Sequence, residues 1–168
     1  MSLPIQIVDE DDNPIGHATK QEAWSQGLRH RIVRIMLEND RGEILIQHRS
    51  PTKDIFPDCW DNSVAGHVDS GEDYSTAALR ELKEEIGIDS AHLGQLGRYD
   101  SDETWQGHRF KRFTQVYRLH YNTTPTKLED GKVDEVRWIS VDELKKLVNE
   151  HPNEVTDGLR QVVERYYQ

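Results

Sequence analysis

An α/β chain with one mixed sheet and helices on its faces is what this sequence predicts, and three observations predict it. Short apolar runs of strand character alternate with amphipathic stretches of helical period. The 168 residues suit one compact domain, 1–168. No internal repeat or low-complexity tract points to another architecture.

Ile5–Val8 reads as a strand, Asp11-Asp12-Asn13-Pro14 as the turn that ends it, and Ile15–His17 as its hairpin partner. Lys20–Ser25 is a short helix stopped at Gly27, so residues 1–30 form a hairpin and helix packed on the rest. Arg31–Leu37 and Glu43–Gln47 are strands joined by a turn at Gly42. Ser50–Trp60, with two prolines, is an ordered loop, and Asn62–Gly66 a short strand. Tyr74–Ile86 is the clearest helix, capped by Asp73 and ended by Gly87, with Ala78, Leu82 and Ile86 toward the core. Arg112–Tyr121 and Glu135–Ile139 are strands with a turn-rich stretch between them. Val141–Asn149 and Thr156–Tyr167 are helices separated by Pro152.

Composition narrows the function classes. Twenty-one Lys and Arg against 31 Asp and Glu give a formal charge of −10, which opposes non-specific binding to nucleic acid or to anionic membranes. A phosphate ligand therefore needs a local device. Four Trp, six Tyr and three Phe spread along the chain argue for a folded core. No apolar run is long enough to span a membrane. With one cysteine, Cys59, and no secretory layout at the N-terminus, the expected location is a reducing cytoplasm.

Glu81, Glu84 and Glu85 stand at i, i+3 and i+4 in the central helix, so they project from one face, opposite much of the apolar stripe. Like charges at that spacing repel, and a cation reverses the sign of the interaction. Oxygen ligands on one rigid element, with no cysteine nearby, suit Mg²⁺ or Mn²⁺ better than Zn²⁺. Glu-rich helix faces are mostly just solvated, so the frame around this one carries the weight. Gly66 is followed after five residues by Glu72, after seven more by Arg80-Glu81-Leu82, and then by Glu84-Glu85-Ile86-Gly87-Ile88.

That spacing resembles the Nudix box, with every fixed position met. The resemblance implies an α/β/α sandwich around a mixed sheet, and hydrolysis of a nucleoside diphosphate linked to another group. Carried over by position, it implies that Glu81, Glu84, Glu85 and the Gly66 carbonyl hold Mg²⁺. Arg80 then fixes a neighbouring carboxylate, and Glu72 braces the loop or joins the metal network. Divalent ions would neutralise the pyrophosphate and lower the pKa of a bound water. Two residues are candidates for the proton acceptor: Glu81, and Glu135 just before a strand, whose other reading is an exposed strand-opening residue.

The segments Phe56-Pro57-Asp58-Cys59-Trp60 and Asp61-Asn62-Ser63-Val64-Ala65-Gly66-His67 also look like isopentenyl-diphosphate isomerase, a branch of the same superfamily. Asp9-Glu10-Asp11 to Gly16 and Leu28-Arg29-His30 look similar too. The isomerase has a cysteine immediately before the loop glycine, where this chain has Ala65. Cys59 is read as a small loop hydrophobe. His67 and His30 match isomerase histidines, but Phe113-Thr114-Gln115-Val116 offers no glutamate pair. The two histidines are then structural hydrogen-bonders or phosphate contacts.

Arg29, Arg31, Arg34, Arg49 and Lys53 form a basic cluster before the box. Arg49, at the end of its strand, ranks first for phosphate, with Arg29 and Lys53 after it and His67 beside them. Tyr99–Phe113 is read as a mobile lid or the contact of a homodimer, with Trp105 stacking on a base or packing inward. The leading function is thus a Mg²⁺-dependent hydrolase of a small-molecule diphosphate. A diphosphate isomerase and a non-catalytic diphosphate-binding module are the alternatives.

Overall fold

A computed structural model describes residues 3–90 and 92–168, and within them nine strands form one branched sheet. β1 (Ile5–Val8) and β2 (Pro14–Ala18) make the expected antiparallel hairpin. α1 (Lys20–Gln26) follows. Thr19 caps it, with Glu22 returning the hydrogen bond to the Thr19 backbone, and Gly27 ends it at φ 64°.

β3 (His30–Glu38) is the spine. One edge pairs in parallel with β8 (His108–His120) along its whole length. The other edge is shared among β1 at Ile7↔His30, β6 (Val64–His67) in the middle, and β4 (Glu43–Arg49) at Glu38↔Ile44. Beyond that turn β4 leaves β3 and pairs with β9 (Val133–Ser140) and the two-residue β5 (Trp60–Asp61). The sheet therefore parts between β3 and β4, and β6 occupies the edge that β4 gives up.

Alternation along β3 assigns the two layers. Val33, Ile35 and Leu37 face α2 (Tyr74–Ile86), burying Ala77, Ala78, Leu82 and Ile86. Met36, with Ile44, Ile46 and Val116, faces α3 (Val141–Glu150) and α4 (Asp157–Tyr166) through Leu144, Val148, Leu159 and Val162. The result is the expected α/β/α sandwich around a mixed sheet. Ile5, Ile7, Ala18 and Ala23 make a smaller third core under the N-terminal hairpin. That hairpin is pinned by buried Asp12, which accepts from Arg31 Nε (2.7 Å), Arg98 Nη1 (2.6 Å) and Tyr74 Oη (2.7 Å).

One strand was not expected from the sequence. Residues 99–113, read as a lid or a homodimer contact, belong to a regular ribbon: β7 (Gly94–Trp105) pairs with β8 from Gly94↔Arg118 to Trp105↔His108. Gln106 and Gly107 turn it at φ 45° and 84°, the left-handed pair that matches strand twist. Trp105 packs inward, its ring centroid 4.8 Å from that of Phe56.

Candidate functional site

The parting of β3 and β4 opens a cleft of about 280 Å³, walled by α1, the loop 53–56 and the start of α4. Glu81 and Glu85 of α2 reach its edge. Sequence placed all three box glutamates on a polar face. Here Glu81 and Glu85 are each 8% exposed, while Glu84 alone is solvent-facing. The four-residue spacing brings Glu81 and Glu85 to one side of α2, toward β6 rather than to water.

Glycine at 66 is required by this approach, because a Cβ there would overlap the Glu81 carboxylate. Glu85 Oε1 accepts from Gln47 Nε2 (2.9 Å) and Ala65 N (3.2 Å), and among the described residues no Lys or Arg forms an ion pair with it. Burial, then the charge of Glu81, pushes the Glu85 pKa up to about 8. Burial raises that of Glu81 as well. Two adjacent buried carboxylates, one of them without an ion-pair partner among the described residues, offer oxygen alone and fit a hard divalent cation.

Arg80 organises this rim. Its Nε and Nη2 donate to Glu72 (both 2.8 Å), Nη2 also to the His67 carbonyl (3.0 Å), and Nη1 to Glu81 (2.8 Å) and Glu84 (3.2 Å). Glu72 in turn accepts from Asp69 N at 2.9 Å and so braces the loop that leads into α2.

The opposite wall is cationic. Arg49 lines the cleft and donates to the carbonyls of Ile55 and Phe56 and to Asp61, which fixes the loop. Lys53 is partly buried in the cleft, and burial, then neighbouring Arg49, lowers its pKa. His67 lies on the floor, its imidazole held well below the usual pKa by burial and then by Lys20. His30 is stacked on it at 5.4 Å and is pushed down to about 4 by burial. Both rings are neutral at pH 7.

Two predicted residues stand apart. Arg29 lies over the Phe113 ring at 5.4 Å and is not among the cleft residues. Glu135 is exposed, 3.8 Å from Arg137, and is likewise not among them. It shares a face of β9 with Arg137 and Ile139 but lies toward the exposed end of the strand, opposite His48. Cys59 is buried with Sγ 3.8 Å from the Asn153 carbonyl, also outside the cleft. Arg34, a member of the basic cluster read from sequence, lines the cleft, and so do Lys20, Trp24, Arg112 and Lys132, which the sequence did not mark as site residues. Chain order separates them widely: Lys20 and Trp24 come from α1, Arg112 from β8 beside β3, and Lys132 from just before β9. A second group, His48, Asp58 and Asp134, has potential ligand atoms within 4.8 Å of one another, but none of the three lines the cleft.

Comparison with known proteins agrees with this geometry. A NUDIX domain is matched over residues 28–159. An uncharacterized Nudix hydrolase of Pseudomonas aeruginosa is 36% identical over 135 residues, covering 80% of this chain and 77% of that protein. An isopentenyl-diphosphate Delta-isomerase of Nocardia farcinica is 30% identical over 165 residues, covering 96% of this chain and 93% of that protein. A crystal structure from Deinococcus radiodurans superposes with a TM-score of 0.80 at 26% identity, covering 98% of this chain and 99% of that one. No helix among the described residues is long and apolar enough to cross a membrane. The box spacing, the glutamate rim and the matched domain agree: this chain belongs to the Nudix family.

Proposed function

We propose that the protein is a Mg²⁺-dependent hydrolase that cleaves the diphosphate linkage of a small nucleoside diphosphate derivative, Mn²⁺ being a substitute ion. The observation that carries this reading is the buried pair Glu81 and Glu85, set beside Gly66 without a protein cation on Glu85. Glu81, Glu84, Glu85 and the Gly66 carbonyl would hold the metal. When bound, it supplies charge neutralisation of the diphosphate and acidifies water.

The chain's own residues do the rest. Arg80 orients Glu81 through Oε1, and the Glu81 carboxylate takes the proton of the attacking water as the water oxygen bonds to phosphorus and the anhydride P–O bond breaks toward the leaving phosphate. Lys53 and Lys20, facing the glutamates across the cleft, orient the anionic diphosphate. Arg49 positions the loop that carries Lys53. With Glu135 exposed and not among the cleft residues, Glu81 is the proton acceptor this geometry favours.

Isomerase chemistry, suggested by the Nocardia relative's name, lacks its thiol here: Ala65 lines the cleft and Cys59 does not. A non-catalytic module would not preserve the buried carboxylates at their cost in desolvation. The test is product analysis after incubation with Mg²⁺ and a panel of nucleotide sugars, dinucleotides, nucleoside triphosphates, coenzyme A and prenyl diphosphates. Cleavage between phosphorus atoms that EDTA abolishes is expected, whereas double-bond migration without phosphate release would overturn the reading. Lys53→Ala should raise KM about tenfold with kcat nearly unchanged, because it removes a contact made equally before and during the reaction.

A further inference from the structure

Most cations of the cleft are already engaged. Arg49 donates to Asp61 and to the Ile55 and Phe56 carbonyls, Arg112 donates to Asp157, and Arg34 lies 3.7 Å from Asp61. Lys132 pairs with Glu129 at 3.2 Å. Lys53 differs: it lines the cleft, yet among the described residues no carboxylate lies within ion-pair distance of its amine and no side-chain hydrogen bond holds it. Its backbone is fixed all the same. Lys53 N donates to the Ser50 carbonyl (3.2 Å), Ser50 N to the Lys132 carbonyl (2.9 Å), and Thr52 Oγ1 to that of Gly131 (3.2 Å), so a pinned turn delivers an unpaired amine into the cleft.

These surroundings favour the neutral amine. Burial first and the Arg49 charge second lower its pKa; Glu85 opposes them, and Lys132 and Lys20 add to the lowering. A lysine desolvated beside other cations is a nucleophile, because the unprotonated amine carries the reactive lone pair. The same cations choose the reagent. Against a chain charge of −10, the wall of Lys20, Arg49, Lys53 and Lys132 is a local reversal of sign, so it concentrates small anions at the amine. Lys146 gives the contrast. It is exposed on α3, one turn from Asp142 and one from Glu150, where a dianion is repelled.

We propose that Lys53 is a modification site, its Nζ taking the acyl group of a small acyl phosphate that the cationic wall draws into the cleft. The amine attacks the acyl carbonyl carbon and a C–N bond forms. The bond from that carbon to the phosphate oxygen breaks, and its electron pair leaves on inorganic phosphate. The ammonium proton passes to water, and a neutral amide remains. Neither a metal nor the glutamates take part, so the reaction stands apart from diphosphate hydrolysis. Its consequence falls on the same cleft: an acylated Lys53 no longer offers a charge, and anions bind there more weakly.

Peptide mass spectrometry of the full chain treated with acetyl phosphate in EDTA tests it. Lys53 should be acetylated about tenfold faster than Lys146, and excess methylenediphosphonate should remove that advantage by filling the anion site. The uncharged donor N-acetoxysuccinimide should give a smaller ratio. In urea the two lysines should react alike, because the preference belongs to the fold. Lys53→Gln, which copies the neutral amide, should bind methylenediphosphonate about tenfold more weakly by isothermal titration, with a thermal melt to check folding. Equal rates at Lys53 and Lys146 in the folded chain, faster acetylation at Lys20, or an advantage that persists in urea would each overturn the proposal. So would a ratio as large with the uncharged donor, no protection by methylenediphosphonate, or undiminished binding by Lys53→Gln. The hydrolase reading stands or falls separately, on turnover with Mg²⁺, which these measurements do not use.

Discussion

At Glu85 the cost and the use of burial are visible in one side chain. Burial, then the charge of Glu81, pushes its pKa up to about 8, so in the metal-free protein the acid form is the one the fold favours. The stability it contributes is complete below about pH 4.5 and is lost as pH rises to about 8. Thermal melts in EDTA should show that decline. Glu85→Gln should flatten it and abolish Mg²⁺-dependent turnover; a decline that persists in the variant would assign it to another group. Gly66→Ala should displace the Glu81 carboxylate and cost about hundredfold in kcat/KM, read by steady-state kinetics. The convergence of the glutamates was legible in the sequence, because a fixed spacing on one helix defines it, whereas Gly66 was marked only by the resemblance to the Nudix box. Trp24, Arg112 and Lys132 were not legible, since their meeting depends on strand register, which no local pattern encodes.

Among the elements, α2 is the most self-specified. Asp73 accepts from Thr76 N at 2.8 Å, and Gly87 closes the helix at φ 71°. Asp73→Ala should cost about 1 kcal/mol and lower Tm by about 3 °C, measured by calorimetry, with turnover per folded molecule unchanged. The ribbon β7–β8 shows the opposite case. Edge strand β7 has one paired neighbour, and its residues alternate between exposed and half-buried, so it lacks the apolar period that marks a strand in sequence. Its tip matters to the cleft nonetheless, because Trp105 backs Phe56, a wall residue held at φ 46°.

For the whole molecule, Asp12 joins the N-terminal hairpin to the sandwich through three donors from β3, α2 and β7. Asp12→Asn removes the charge at a site where Arg31 is nearly buried, and should destabilise the protein by about 3 kcal/mol in denaturant unfolding. The layers were legible in the sequence because the apolar stripes of α2, α3 and α4 have clear helical period. The branching of the sheet was not, because the parting of β3 from β4 is a property of pairing rather than of either strand.

The matched NUDIX domain begins at residue 28, yet Lys20, Gln21 and Trp24 of α1 line the cleft. One wall of the cleft is thus an appendage outside the matched domain. A chimera exchanging residues 5–27 between relatives would retune selectivity as a cassette, provided Asp12 travels with it, while the cutting machinery stayed untouched.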